Sequence, residues 1–506
     1  MEIAEKTIEQ AAPRVRVRAW LLPALILVSA LIVYSRFQPY DQPSTGDSAL
    51  YDYFAQLITR GGVPYRDVVD IKTPLSTYIG AASIVALEPF GVRDVIAIRF
   101  VFIALAAMTV LFTFIVARSY LENARLAVMS AAVLMAFDSF GKTNCSGVQP
   151  KTPMILLGLI SLWAIIKDRP FLAGLAGMLS ALCWQPGLLF VGAAGLAFSR
   201  YLTNWRDGKM LKLLAGAALP LVAMILYFAA QGALRDFYLW TFHHNYSVYA
   251  PHELRTLAGF FKRLGRVLEN SYSTERIFFY LSIVGFLLVA AREFLKRRSL
   301  ESAPRHALLI APTVYFLFCA INLQAGPDLI PLLPFAAIFS SAVFVYWLEH
   351  TGGAMRRESS KGRAIFEHAA FAVFLGAILI LKVADAFFYI AESPTLAEQD
   401  AQVAEVMRQI EPGDEIYVHG QIESLVLSGM TNADKYVLLG RGKDVYLDYV
   451  EQGGFDGWLE RLKMRRPKVV ALTRLAPVSR REEIENWVRE DYTVRQGQLF
   501  NFYVRK

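Results

Sequence analysis

Charge is scarce in this 506-residue chain: Asp, Glu, Lys and Arg together make up 19% of it, against about 25% in an ordinary soluble domain. Hydrophobic residues reach 55% and fall in long uninterrupted runs, which excludes a wholly soluble protein. Cysteine is nearly absent. Cys145, Cys183 and Cys319 lie within or beside apolar segments at no metal-ligand spacing, and they read as packed small hydrophobes. No cleavable leader is expected. Arg14, Arg16 and Arg18 precede the apolar stretch 19–34, but no small-residue cleavage site follows. That stretch reads as a retained first span with its basic flank in the cytoplasm. The formal charge of +8 is then a topology signal rather than a nucleic-acid footprint, because the basic residues sit in short loops between spans. No nucleic-acid partner is expected.

What is present is apolar length. The runs 19–34, 96–117, 211–230, 277–290, 329–348 and 369–380 hold few or no charges. Several approach the roughly 20 residues that a helix needs to cross a bilayer. Only helices or closed barrels satisfy their backbone in hydrocarbon, and runs this long without alternation are helices. With weaker segments near 74–90, 124–140, 151–166, 171–199, 305–322 and 365–390, about 11 transmembrane helices are expected. The stretch 171–199 is one crossing kinked at Pro186-Gly187 or two short ones. The loops 199–209, 292–305 and 356–363 are the most basic and are assigned to the cytoplasm. That parity puts loops 38–73 and 231–273 outside, together with the C-terminus.

Near residue 391 the character changes. Residues 391–506 hold 19 acidic and 16 basic residues, a soluble composition. An alternating run follows the turn at Pro412-Gly413, another lies at 468–472, and a third at 499–504. Helical stretches at 453–463 and 481–488 separate them. The expectation is a small α/β domain outside the membrane. The chain therefore divides into a cytoplasmic segment 1–18, a transmembrane domain 19–390 and a soluble extracytoplasmic domain 391–506.

The first outer loop concentrates polar chemistry between two spans. An amphipathic helical pattern (Leu50, Phe54, Leu57, Ile58) suits a helix lying at the interface, stopped by Gly61-Gly62 and Pro64. Asp47 precedes it as the best base candidate, with a helix cap as the competing reading. Asp52 lies on the same helix, either on a solvated face or facing substrate. Tyr65, Arg66, Asp67, Asp70 and Lys72 crowd the approach to Pro74. Arg66 and Lys72 are placed to hold a phosphate, while a carboxylate takes a proton from an acceptor hydroxyl. Asp67 and Asp70 either order the turn or pair with those cations. In the second outer loop, His243, His244, His252 and Glu253 suit substrate contact better than metal, since adjacent histidines point apart on a helix. Gln185 breaks an apolar run, and Asp328 follows Gly326-Pro327 at the mouth of a late span. Both are cavity candidates, with a kink or a turn as the competing reading. No cofactor is assigned, and dependence on a divalent metal is left open.

These residues carry a family pattern. Gly46-Asp47 with Tyr51 and Ala55, then the run from Gly62 to Asp67, then Lys72-Thr73-Pro74-Leu75 make the first stretch. Gly174 to Gly177 leading into Trp184-Gln185-Pro186-Gly187 makes the second, and Asp328 to Pro334 the third. Together they resemble the GT-C superfamily of polytopic glycosyltransferases, nearest the ArnT-like and protein-mannosyltransferase-like group (glycosyltransferase family 39-like). The resemblance implies a fold class: an all-α polytopic membrane domain of GT-C type followed by a C-terminal soluble α/β domain. It implies an enzyme of the inner (plasma) membrane of a bacterium. The reaction would be inverting transfer from a polyprenyl-phosphate sugar to a lipid, glycan or protein acceptor on the outer face. Asp47 aligns with the family's outer-loop acid and Lys72 with its basic residue before proline, while Thr73 stands where relatives often carry proline or glycine. Two other readings fit a polytopic envelope protein: a transporter or flippase for lipid-linked sugars, and a non-catalytic assembly protein acting through residues 391–506. The first would call for inverted repeats and midplane charges, and neither is evident in the sequence.

Overall fold

Helices in this chain stop where local backbone chemistry stops them, and that sets their length more than hydropathy does. The computed structural model describes residues 20–199, 208–249, 256–295, 303–354, 360–391, 393–408, 410–473, 475, 478–496 and 501–506. The segment 1–18, His252, Glu253 and several loop arginines, Arg297 and Arg356 among them, lie outside the described residues. The first helix is α1 (Trp20–Ser35). Helix α2 (Gly46–Thr59) ends at Gly61, which is left-handed at φ 87° and lets the Gly62 N–H return to the Leu57 carbonyl at 2.9 Å. Then come α3 (Leu75–Leu87), α4 (Asp94–Leu121), α5 (Ala124–Met135) and α6 (Asp138–Cys145). The Asn123 side chain caps α5 by accepting from the Leu126 N–H at 3.1 Å. Helices α7 (Lys151–Ile166), α8 (Pro170–Cys183), α9 (Leu188–Phe198) and α10 (Lys209–Ala230) follow. Further helices run over Leu257–Tyr272, Arg276–Leu295, Ala303–Asn322, Leu333–Ala354 and Ser360–Ile378.

The expectation of about 11 transmembrane helices is corrected here. Among the described residues four helical stretches are long and apolar enough to cross a membrane: Asp94–Leu121, Lys209–Ala230, Leu257–Glu293 and Gly326–Thr351. The count rises to five if α5 and α6, bent by 56° at their junction, form one crossing. Seven more apolar helices are only 10–17 residues long. At about 1.5 Å per residue even the longest of these falls short of a hydrocarbon core about 30 Å thick. The apolar runs are longer than the helices because they continue through helix breakers. The run 171–199 is two helices, α8 and α9, parted by Trp184 in extended backbone (φ −162°, ψ 133°) and a single turn at Gln185–Gly187. A hydropathy window reads through Pro186 and Gly187, whereas the hydrogen-bond ladder does not. Close approach also relies on small residues. A Cβ on Gly216 of α10 would lie 2.0 Å from the Phe171 carbonyl oxygen of α8.

The C-terminal part carries a four-stranded sheet in the order β1 (Ile416–His419), β2 (Val469–Leu472), β4 (Asn501–Arg505), β3 (Tyr492–Gln496). Strands β1 and β2 are parallel, and β4 pairs antiparallel with both β2 and β3. Side chains alternate across it as a strand period of two requires. Ile416, Val418, Val469 and Ala471 join one buried cluster with α2, and Tyr417 and Val470 join another with Trp458 and Trp487. The helix expected to lay one face on the membrane interface is covered by protein over most of its length. Residues 48–57 of α2 are all buried, because Leu425 and Val426 of the C-terminal part cover the face that local periodicity leaves to solvent. Backbone contacts fix this docking. The Val69 N–H donates to the Lys435 carbonyl at 3.0 Å, and the Asn432 N–H donates to the Tyr53 hydroxyl at 2.9 Å.

Candidate active-site cavity

A carboxylate in the first turn of a helix is stabilised by the positive end of the backbone dipoles, and Asp47 occupies that place in α2. It does not cap the helix. Thr45 holds the cap position and no side-chain cap bond forms. The Asp47 carboxylate instead projects into a cavity of about 550 Å³, where 66% of its side chain remains solvent-reachable although cavity walls surround it.

The loop after α2 brings Lys72 opposite. Tyr65, left-handed at φ 71°, is fully buried against Phe228 and Phe237, and its hydroxyl donates to the Lys72 carbonyl at 2.7 Å. The Ile71 carbonyl accepts from Gln185 Nε2 and from Asn245 Nδ2, both at 2.7 Å. The Thr73 hydroxyl donates to the Ala181 carbonyl at 2.8 Å. Held on both sides, Lys72 puts its Nζ 3.5 Å from Asp47 Oδ2 and 4.7 Å from the centre of the Tyr51 ring. That ammonium group pulls the Asp47 carboxyl down to about 2, burial opposing it and more distant Lys151 and Arg441 assisting.

The break between α8 and α9 turns Trp184 into the cavity as a partition. Lys72 Nζ lies 5.9 Å and Lys151 Nζ 4.9 Å from its ring centre, both within cation–π reach. Lys151, at the start of α7, also pairs with Asp328 at 3.3 Å. Asp328 is fixed in turn by the backbone N–H groups of Gln324 at 2.8 Å and Ala325 at 3.1 Å. Phe318 and Ile321 supply apolar wall. Asp70 completes the acidic set. It is buried, its carboxyl pushed up by that burial against the pull of Lys72 and Lys443.

Of the acidic, basic and amide residues singled out in the sequence, Asp47, Asp70, Lys72, Gln185 and Asp328 share this cavity. The others lie elsewhere. Arg66 is bound by its neighbour Asp67 through two hydrogen bonds of 2.9 and 2.8 Å and donates to the Gln231 carbonyl, and Arg66 and Asp67 line a separate cleft against the C-terminal part. Asp52 is fully buried behind α2, where its Oδ1 accepts from the Val148 N–H at 2.8 Å. Burial pushes its carboxyl up to about 7. Tyr65 serves the loop as described. His243 shares a 2.6 Å hydrogen bond with the Tyr446 hydroxyl and stacks on Tyr449. His244 is packed between Trp240 and Tyr446, and burial pushes its imidazole down to about 3, so it is neutral. Among the described residues no three His, Cys, Asp or Glu side chains gather as a metal-ligand set.

Two cavity cations lie outside the outer loops altogether. Arg441 and Lys443 come from the C-terminal part and line the same hollow. Arg441 donates to the Tyr249 hydroxyl at 3.0 Å. Lys443 is 4% exposed, and burial pushes its ammonium down to about 8 with Asp70 opposing. The signal for them in the sequence is slight: two basic residues around Gly442, in a domain whose acids outnumber its bases.

No family profile matches this sequence, and no curated protein does. Solved structures share the fold. ArnT from Cupriavidus metallidurans bound to undecaprenyl phosphate superposes with a TM-score of 0.60 at 12% identity, over 96% of this chain and 98% of that one. The apo form of the same protein gives 0.64 at 11% identity, over 97% and 98%. The archaeal oligosaccharyltransferase AglB from Archaeoglobus fulgidus, in complex with an inhibitory peptide and a dolichol-phosphate, gives 0.56 at 13%, over 96% of this chain and 74% of that one.

Proposed function

We propose that this chain transfers a sugar from a polyprenyl-phosphate donor to an envelope acceptor, as a membrane-bound glycosyltransferase of the GT-C superfamily. One observation carries the reading: an ionised, solvent-reachable carboxylate, Asp47, stands 3.5 Å from Lys72 in a cavity walled by aromatic and apolar side chains. The sharing of a fold with proteins solved bound to undecaprenyl phosphate and dolichol-phosphate supports the donor class.

The chemistry follows from charge. As the bond between the anomeric carbon and the phosphate oxygen breaks, negative charge grows on the departing polyprenyl phosphate, and Lys72 and Lys151 stabilise it. The acceptor hydroxyl adds its oxygen to the anomeric carbon from the opposite face and gives its proton to Asp47, so the configuration inverts. A carboxylate near 2 is a weak base, but its low value is imposed chiefly by Lys72. When a donor phosphate engages that ammonium group, the pull on Asp47 weakens and its basicity rises as substrate arrives. In this reading the cavity faces away from the cytoplasm in a bacterial inner membrane, with the N-terminus cytoplasmic. The acceptor is a lipid, glycan or protein.

Asp47→Asn tests the proposal. Transfer from radiolabelled polyprenyl-phosphate sugars should fall by roughly a hundredfold or more, with membrane levels and thermal stability unchanged. Wild-type transfer rates in that variant would remove Asp47 from the mechanism.

A further inference from the structure

Formal charge in the cavity changes sign depending on which part of the chain is counted. The segments before residue 391 contribute Asp47, Asp70 and Asp328 against Lys72 and Lys151. Three carboxylates against two ammonium groups leave the hollow at −1, which repels a phosphate. Arg441 and Lys443 bring it to +1. Both come from one turn of the C-terminal part, at the start of the helix Lys443–Val450. We infer that Arg441 and Lys443 are donor-phosphate-binding residues, so that the C-terminal part completes the anion site rather than standing beside it.

The turn is built to hold its place. Arg441 is left-handed at φ 66°, a conformation uncommon for a residue with a Cβ, and Gly442 follows at φ 77°. Outliers of this kind persist where surrounding structure fixes them and cluster at binding sites. A Cβ on Gly442 would lie 2.5 Å from Val248 Cγ1, so the turn sits hard against the segment Asn245–Tyr249. That segment also supplies Asn245 and Tyr249 to the cavity wall. Arg441 lies over the Tyr249 ring, 5.6 Å from its centre, besides donating to its hydroxyl. This contact and the hydrogen bond orient a planar guanidinium, a group suited to the bidentate recognition of a phosphate.

This inference rests on the proposed donor class, and one experiment separates the two. Full-length protein in lipid nanodiscs is titrated with undecaprenyl phosphate and with undecaprenol, which lacks the phosphate. Wild type should prefer the phosphate. In R441Q/K443M that preference should fall by about tenfold or more, while the charge-preserving R441K/K443R retains most of it at equal thermal stability. If wild type shows no preference, the donor class itself is overturned. If wild type prefers the phosphate and R441Q/K443M keeps the full preference while folded, the assignment of Arg441 and Lys443 is overturned. Should R441Q/K443M fail to fold, the single variant K443M decides by the same comparison.

Discussion

Asp47 and Asp52 are five residues apart on one helix and have opposite environments. Asp47 meets an ammonium group in a wet cavity and is held low. Asp52 is sealed behind the helix and is pushed up to about 7 from an ordinary 3.8. A value higher in the folded than in the unfolded state means that folding takes up a proton. Stability therefore falls as pH rises between about 4 and 7 and stays lowered above that window. Asp52→Asn keeps an oxygen for the Val148 N–H and has no charge to bury. The variant should match wild type near pH 4 and exceed it by ~1 kcal/mol or more above pH 7, read by thermal unfolding across that range. A variant less stable than wild type at pH 8 would show that the carboxylate is needed ionised. The sequence separates Asp47, as candidate base, from Asp52, on a solvated face or facing substrate, but the full burial of Asp52 is not legible in it, since burial is decided by elements far away in the chain. Asp47 and Lys72 were legible because one loop carries them. The pairing of Arg66 with Asp67 is one of the readings the sequence offers, and the two hydrogen bonds between them engage the guanidinium in the loop, away from the cavity.

Elements show the same divide between local and distant causes. The alternation at 415–419 is legible as a strand because a period of two in side-chain type is a property of the segment itself, whereas the burial of all four residues Ile416–His419 depends on what packs on both faces. The ends of α8 and α9 were harder. Apolar continuity across Pro186-Gly187 reads as one span or two, and the extended backbone at Trp184 instead parts it into two helices, each too short by itself to span. The same break gives the cavity the ring that divides Lys72 from Lys151. The turn at Arg441 and Gly442 is the element on which the anion site depends. Gly442→Ala must accept both a left-handed φ of 77° and a 2.5 Å contact with Val248. The expected cost is about 1–2 kcal/mol of stability. Affinity for undecaprenyl phosphate should weaken as the turn moves, measured in the same nanodisc titration. Unchanged affinity would mean that the turn tolerates displacement and does not set the geometry of the site.

At the scale of the molecule, the C-terminal part packs as an integral wall. It buries a full face of α2, and the Tyr53 hydroxyl accepts from the Asn432 N–H at 2.9 Å inside that contact. Tyr53→Phe leaves a buried N–H without its acceptor, at a cost of about 1–3 kcal/mol. The variant should melt at lower temperature and release C-terminal fragments faster under limited proteolysis, whereas Asp47→Asn should do neither. Cleavage at the wild-type rate would show that docking does not depend on this bond. None of this contact is readable from composition, which marks residues 391–506 as soluble but is silent on what they touch.

Because Arg441 and Lys443 belong to the last quarter of the polypeptide, a ribosome finishes every membrane helix before it makes them. On the assignment proposed above, the hollow carries a formal charge of −1 until those two residues emerge and seat themselves. An unfinished chain would lack two of the four cations on which the proposed site draws.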